Sequence, residues 1–382
     1  MSEIILIGQD HVLFEINKKV QENRLAHAYL VSGPSGSGKL SVSIKFAEMI
    51  IENGKKFIGS QKTSINPVSH PDIHFVFPVN TNSRIKTKAI SNNFIEEWRE
   101  MVGSNPYFDL SSWLEKIEAS NKKGNISVNE AEDIAKKMAM KPYEGGYKVM
   151  VIWMAEKMNI ECSNKLLKLI EEPGPKTTFI LITENKARLL ATIKSRCQDI
   201  ITSPLKTEQI KEGLKNYFDV EESKAIQLTN QCNNSFTDAI KLLNNSESLQ
   251  DFEKMFIDWV RLAFKVKSNK SAVKNLVDWA EKISKLTKDL QKQFLTYALE
   301  NFRAAVLKNY KSGAYNRVFV DPGFNFDSFA PFIHDNNIIE LYEEINTAIY
   351  ELERNGNSKI VLTDLSLKLT RLIHQKPNKI DA

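Results

Sequence analysis

Cysteine is scarce in this sequence of 382 residues, where only Cys162, Cys197 and Cys232 occur. They form no C-x-x-C pair and no Cys/His cluster with the spacing of a zinc site, so the sequence predicts no zinc. A few unpaired thiols are typical of proteins in a reducing compartment. We therefore expect a cytoplasmic protein.

Long hydrophobic runs are also missing. No stretch of about 18 apolar residues occurs, and the first twenty residues, "MSEIILIGQDHVLFEINKKV", carry too many charges for a signal peptide. We expect no association with a membrane. The net charge of +5 is only mildly basic and does not by itself identify a nucleic-acid-binding protein. With 42% hydrophobic and 26% charged residues, the chain has an ordinary globular composition, and its length predicts two or three domains.

A glycine-rich stretch, "GPSGSGKL" at residues 33–40, lies between an apolar run and an amphipathic helix pattern, "KLSVSIKFAEMII". It approaches the phosphate-loop pattern G-x-x-x-x-G-K-[ST], with Gly33, Gly38 and Lys39 in place and Gly36 as a further loop glycine. In such a loop, backbone N–H groups surround the phosphates, and Lys39 would reach the terminal ones. An ordinary tight turn between strand and helix remains the alternative.

Two positions that normally handle Mg²⁺ are apolar. Leu40 stands where a Ser or Thr hydroxyl should bind the metal, and Trp153 and Met154 stand where acids should follow the strand "KVMVIW". Glu156 follows three residues after Trp153, and because a register shift would be needed to bring it into the site, we interpret it as a solvated residue at a helix start. The sequence therefore predicts no metal, no hydrolysis, and a nucleotide bound weakly if at all.

The order of elements predicts an α/β fold with a parallel sheet. The runs "YKVMVIW" and "TTFILIT" resemble buried parallel strands, and a helix pattern that stops at Pro173 separates them. Residues 80–125 are polar with short helical pieces, and we interpret them as an insertion into a first domain at 1–205. Beyond 205 the strand pattern ends, and we predict a small helical domain at 206–250 and an all-α domain at 251–382.

A third motif, "LLATIKSRCQ" at residues 189–198, places Arg196 near the edge of the first domain. Arginine presents a rigid fork of donors that suits phosphate, and it can act on a neighbouring subunit's nucleotide. Spacing alone favours a surface arginine that caps a helix. Both interpretations stay open at this point.

Taken together, "HAYLVSGPSGSGK", the region from "YKVMVIW" to "TTFILIT", and "RLLATIKSRCQ" resemble clamp-loader subunits of bacterial DNA polymerase III, which belong to the AAA+ family. The resemblance covers roughly residues 1–205. It implies a P-loop AAA+ domain, a helical lid at 206–250 and a helical collar, for oligomerisation, at 251–382. Within the family the chain is similar to the delta-prime type, and "SHPDIHFVFP" at 69–78 is part of that likeness.

The resemblance implies a division of labour, in which gamma or tau subunits hydrolyse ATP and a delta-prime subunit does not. Arg196 would then act in trans on the ATP of a gamma/tau neighbour, with Ser195 and Cys197 fixing its position. The implied assembly contains gamma/tau and delta subunits, belongs to a DNA-directed DNA polymerase holoenzyme, and loads the sliding clamp onto primed DNA. An active gamma/tau-like ATPase and a stand-alone scaffold protein with a degenerate loop are the alternatives.

The sequence departs from the family in several places. Residues 51–75 lack the four-cysteine zinc module found in many members. Thr237 stands where the lid of motor subunits carries a nucleotide-sensing arginine, and Thr183 lies in the region of the first sensor. Segments 80–125 and 313–337 have no assignable counterpart, and each is either padding of one lineage or a contact surface.

Overall fold

The fold is described from a computed structural model, which covers residues 4–58, 65–120, 122–143, 146–229, 232, 234–244, 246–269, 271–309 and 323–375. The chain divides into two units, Met1–Leu243 and Asn244–Ala382. Each unit has its own hydrophobic core. The three domains predicted from the sequence remain a prediction.

The first unit alternates strands and helices along its α/β part and then continues with helices. Its elements are α1 (Asp10–Gln21), β1 (Ala28–Ser32), α2 (Lys39–Ile58), β2 (Ile73–Val76), α3 (Ile95–Ser104), α4 (Leu110–Lys116), α5 (Val128–Ala139), β3 (Lys148–Ile152), α6 (Ile160–Glu171), β4 (Thr177–Thr183), α7 (Ala191–Lys194), β5 (Gln198–Ile201), α8 (Thr207–Phe218), α9 (Glu222–Thr229) and α10 (Phe236–Asn244). Short 3₁₀ helices lie at Ser91–Phe94, Ala155–Lys157 and Lys186–Arg188.

The five strands form one parallel sheet in the order β2-β3-β4-β1-β5. Successive residues of β1 point to opposite faces: Tyr29 and Val31 belong to one core cluster, and Ala28 and Leu30 to the other. Residues of α1 and α2 line the first face, and residues of α5 and α6 line the second. The predicted α/β fold with a parallel sheet is confirmed.

Segment 80–125, which we interpret as an insertion, contributes to the hydrophobic core of the first unit. Trp98 on α3 and Trp113 on α4 are fully buried and lie 5.3 Å apart, edge to face. Trp98 also stacks on Phe77 at 4.1 Å and lies 5.3 Å from Trp153. The polar residues that dominate this segment concealed a few large aromatic side chains, which are buried in the core.

The second unit is helical throughout its described residues. Its elements are α11 (Ser246–Ser268), α12 (Ala272–Ser284), α13 (Lys288–Asn309), α14 (Phe326–Phe329), a 3₁₀ helix at Ala330–Phe332, α15 (Asp335–Glu353) and α16 (Ser358–Ile373). The helical pattern predicted beyond residue 251 is confirmed in the described residues. Residues 313–322 lie outside the described residues, whereas Phe326, Phe329 and Ile333 are buried in the core of this unit. That part of segment 313–337 therefore stabilises the fold.

Candidate functional site

The glycine-rich stretch forms the connection between β1 and α2, as the sequence predicts. Gly36 and Gly38 adopt positive φ values of 70° and 86°, which side chains with a Cβ rarely adopt. A Cβ atom on Gly33 would lie 2.6 Å from the backbone oxygen of Thr202, which follows β5. The loop therefore needs its glycines both for its curl and for its close approach to the end of β5.

Lys39 is the first residue of α2, and its side chain is only 6% exposed. Its Nζ donates to the backbone oxygen of Pro34 at 2.5 Å and to Oε1 of Glu184 at 3.2 Å. Burial lowers the pKa of Lys39, and the nearby charges of Glu184 and Glu156 act in the opposite direction. The ammonium group that would meet a phosphate is paired within the chain.

The positions expected to handle Mg²⁺ lie in the hydrophobic core. Leu40, Trp153 and Met154 are at most 8% exposed and belong to the same apolar cluster. Trp153 also packs against Phe108, with the ring centroids 5.2 Å apart. None of the three side chains carries an oxygen, and Mg²⁺ requires oxygen ligands, so these positions do not fit a magnesium-nucleotide complex.

Glu156 is less exposed than its interpretation as a solvated residue implies. It does lie at a helix start, in the 3₁₀ helix Ala155–Lys157, but it is half-buried. Its Oε1 accepts a hydrogen bond from the backbone N–H of Glu184 at 3.2 Å. Its Oε2 is buried without a hydrogen-bond partner among the described residues. Glu156 therefore adds a second carboxylate near Lys39, without any register shift of β3.

The helical segment after β5 covers the loop. The backbone N–H of Phe236, at the start of α10, donates to the oxygen of Gly36 at 3.2 Å, and Ser235 lies so close that a Cβ on Gly36 would collide with it. Thr237, at the position of the nucleotide-sensing arginine, is buried and uncharged. Thr183 is also buried, at the end of β4, and its Oγ1 accepts from the N–H of Asn185 at 3.1 Å.

Tyr107 was not among the residues singled out from the sequence, yet it lies directly against the loop. Its hydroxyl accepts from the N–H of Ile7 at 2.8 Å, and a Cβ on Gly38 would lie 2.8 Å from the same oxygen. Its ring meets Phe236 edge to face, with centroids 4.9 Å apart. Burial raises the pKa of Tyr107 to about 12, so the hydroxyl stays protonated. An aromatic pair, "YF", within a polar stretch is the one signal that could have drawn attention to it.

Asp109, two residues after Tyr107, makes a second contact with α10. Asp109 forms an ion pair with Lys241 of α10 and also caps α4 by accepting from the N–H of Ser112 at 3.0 Å. Residues 107–109 therefore join α10 through both an aromatic contact and a charge pair. The phosphate loop lies under this junction.

Arg196 lies at the other end of the sheet from the loop. It precedes β5 by two residues, whereas Thr202, which contacts Gly33, follows β5. Because β1 and β5 are parallel neighbours, the start of β5 and the loop after β1 are separated by the length of the strand, roughly 13 Å at 3.3 Å per residue. The structure therefore does not bring Arg196 to the chain's own phosphate loop.

The side chain of Arg196 is 38% exposed, and its guanidinium contacts three groups. Nη2 forms an ion pair with Oε1 of Glu171 at 2.5 Å, and Nη1 donates to the backbone oxygen of Thr192 at 2.9 Å. Ser195 also contacts Nη1, with its Oγ at 3.4 Å. Cys197 is half-buried, and burial raises its pKa to about 11, so it is a packing residue that stays a thiol.

The described residues do not meet the requirements of a metal site or of a membrane-spanning helix. Within residues 4–375, excluding the undescribed gaps, no three His, Cys, Asp or Glu side chains converge as a metal site would require. No helix in the described part of the chain has both the length and the apolar character needed to cross a membrane.

The fold and the loop define a P-loop α/β domain whose metal-handling positions are apolar. The sequence model of the family described as "DNA polymerase III, delta subunit" matches residues 8–206, just over half of the chain. The chain therefore belongs to this family of DNA polymerase III clamp-loader subunits, within the AAA+ proteins.

The relatives include delta' and tau subunits of DNA polymerase III. The chain is 28% identical to subunit delta' of DNA polymerase III from Bacillus subtilis over 65% of this chain and 63% of that protein. It is 27% identical to subunit tau from the same organism over 64% of this chain and 37% of that protein. A crystal structure of a gamma subunit-related protein from Thermotoga maritima has 15% identity and a TM-score of 0.41, covering 95% of this chain and 99% of that one.

Proposed function

We propose that the chain is a non-hydrolysing, delta-prime-like subunit of the DNA polymerase III clamp loader. In this assembly it would work in the cytoplasm beside gamma/tau and delta subunits, and through them act on the sliding clamp and primed DNA. The observation that supports non-hydrolysis is the burial of Leu40, Trp153 and Met154 in one apolar cluster. Phosphoryl transfer depends on charge neutralisation by a metal, and these side chains offer it no ligand.

In the proposed function, Arg196 is the residue through which this subunit contributes to hydrolysis by its neighbour. Its guanidinium is partly exposed, far from the chain's own loop, and held with N–H groups to spare after its contacts with Glu171 and Thr192. We propose that these donors reach the γ-phosphate of ATP on an adjacent gamma/tau subunit and stabilise the charge that develops there. An arginine in this role accelerates hydrolysis by about three to five powers of ten at the site it serves.

The test is Arg196→Ala in the assembly reconstituted with gamma/tau and delta subunits. We expect DNA-stimulated ATP hydrolysis to fall while the complex still forms on size-exclusion chromatography. Arg188→Ala is the matched control, because Arg188 is an exposed arginine in the 3₁₀ helix before α7. If Arg196→Ala and Arg188→Ala leave hydrolysis equally unchanged, the role in trans is wrong.

An active gamma/tau-like ATPase is the second candidate, because the chain is nearly as similar to a tau subunit as to a delta' subunit. Assaying the pure chain for Mg²⁺-dependent ATP turnover separates the two functions. We expect no turnover above that of a Lys39→Ala variant, and clear turnover would favour the motor. A stand-alone scaffold would fail to co-purify with delta and gamma/tau subunits.

A further inference from the structure

Lys39 is a buried charged residue of the first unit. The side chain is 6% exposed, and its Nζ lies 3.2 Å from Oε1 of Glu184. An ammonium removed from water to this extent must be paired with an anion or lose its proton. In a phosphate loop that anion comes from the ligand. Here a carboxylate of the same chain takes its place.

Glu184 is well placed for this contact because of the strand order. It directly follows β4, and β4 is the neighbour of β1, which leads into the loop. The carboxyl ends of parallel neighbours lie at the same edge of a sheet, so the residue after β4 meets the residues after β1. The backbone N–H of Glu184 is fixed in turn by Oε1 of Glu156.

We propose that the Glu184 carboxylate is the resident anion of the phosphate loop and excludes phosphates by pairing with Lys39. The proposal rests on the proposed function in one respect: it gives a reason why a subunit that does not hydrolyse ATP would also bind phosphate weakly. Tyr107 and Phe236 pack against each other beside the loop, and Glu184, whose side chain is 36% exposed, neutralises the buried ammonium of Lys39.

The loop itself keeps the backbone shape of an anion site. Gly36 and Gly38 have positive φ values, and the 20-residue helix α2 starts at Lys39, as in a glycine-rich loop before a helix that binds anions. Removing the carboxylate should therefore uncover an anion site, because Lys39 would then lose the carboxylate that it contacts directly. Glu156, whose Oε2 has no partner in the described residues, would oppose the incoming anion only in part.

The experiment uses the full chain, in EDTA, titrated calorimetrically with sodium tripolyphosphate, which carries phosphates but no base. We expect Glu184→Gln to bind tripolyphosphate at least about tenfold more tightly than the wild type, with one molecule per chain. The reason is that Lys39, no longer paired with the Glu184 carboxylate, can make its charge-assisted contact with a phosphate instead. The double variant Glu184→Gln/Lys39→Ala should lose this gain.

Glu48→Gln is the matched control. Glu48 pairs with Lys45 at 3.0 Å on α2, so its substitution changes the net charge of the chain by the same amount at another place. We expect it to bind tripolyphosphate like the wild type. Equal binding by the wild type and Glu184→Gln, an equal gain in Glu48→Gln, or a gain that survives without Lys39 would each overturn the proposal.

A second variant covers the case in which Glu184→Gln does not fold. Glu156→Gln leaves the pair of Lys39 and Glu184 in place and removes only the second carboxylate, so we expect a smaller gain in the same direction; no gain would then count against the proposal. All these readings come from the isolated chain without turnover. They can fail while Arg196→Ala still lowers hydrolysis in the assembly, and the reverse also holds, so the two ideas are tested separately.

Discussion

The guanidinium of Arg196 and the carboxylate of Glu171 form an ion pair, with Nη2 and Oε1 2.5 Å apart. Glu171 is the last residue of α6, and Arg196 follows α7, so the pair ties the ends of two helices together. An arginine side chain loses considerable rotamer freedom when it is fixed on a phosphate. We infer that Glu171 restricts this freedom in advance and acts as a positioning residue for Arg196.

Glu171→Ala should therefore lower the ATPase of the reconstituted assembly less than Arg196→Ala does. Both side chains of the pair are more than a third exposed, so the contact contributes at most about 1 kcal/mol, or about fivefold in rate. We expect the loss in kcat at unchanged KM and a partial rescue by Glu171→Asp. Glu172→Ala, the neighbouring exposed carboxylate, serves as the control. A loss of equal size in both alanine variants would contradict the positioning role.

The aromatic cluster around Trp98 makes segment 80–125 essential for stability. Trp98 is fully buried and packs on Phe77 and Trp153, so Trp98→Ala leaves a cavity and should cost about 3–5 kcal/mol in the free energy of unfolding. Urea denaturation followed by circular dichroism measures the loss. Lys123→Ala, at an exposed position of the same segment, should change stability by less than about 0.5 kcal/mol. A loss below about 1 kcal/mol for Trp98→Ala would contradict a core role for the segment.

The strands that the sequence predicted are those with continuous apolar runs. β1, β3 and β4 are buried at every position. β5 was missed because it lies at the edge of the sheet, and three of its four residues are exposed, so no hydrophobic pattern marks it. β2 was missed because only four residues pair there.

In the candidate site, too, some residues could be predicted from the sequence and others could not. Gly33, Gly36, Gly38 and Lys39 lie within seven residues, and their spacing, together with the strand and helix patterns on either side, predicted the loop. Tyr107 and Glu184 reach the loop from segments about 70 and 145 residues further along the chain, and spacing carries no information on such contacts. The order of the strands would have identified Glu184, because it follows the strand that pairs with β1.

The ion pair of Asp109 and Lys241 should couple segment 80–125 to α10. Burial pushes the pKa of Asp109 up, but Lys241 and the N–H of Ser112 together bring it below its usual value. Asp109→Asn keeps an acceptor for the helix cap and removes only the charge, so it isolates the ion pair. In a double-mutant cycle with Lys241→Gln, we expect a coupling of about 0.5–1 kcal/mol.

The coupling should also depend on pH in a defined direction. A carboxyl group whose pKa is lowered in the folded state stabilises it above the ordinary pKa of aspartate, and the contribution disappears as the pH falls through the lowered value. Repeating the cycle at pH 7 and below pH 3 tests this. A coupling that is unchanged in acid would show that the contact is not electrostatic.

Glu130 should make the first unit less stable as the pH rises. It is fully buried on α5, its Oε1 has no hydrogen-bond partner among the described residues, and Oε2 accepts from the N–H of Ser91 at 2.7 Å. Burial raises the pKa of Glu130 to about 7, although the contacts with Ser91 and the charge of Lys137 lower it. The folded state therefore binds a proton that the unfolded chain releases near pH 4.5.

The sign follows from that difference. Below pH 4.5 both states are protonated and Glu130 costs nothing, whereas between pH 4.5 and 7 the unfolded state ionises first and the free energy of unfolding falls. Glu130→Gln keeps the acceptor for Ser91 and cannot ionise, so it should be more stable than the wild type by about 1–3 kcal/mol at pH 8 and lose this advantage at pH 4.5. Denaturant titrations of both proteins from pH 4.5 to 8 measure the difference, with Glu161→Gln at an exposed position of α6 as control. A difference that does not grow with pH would mean that Glu130 is already ionised in the folded protein.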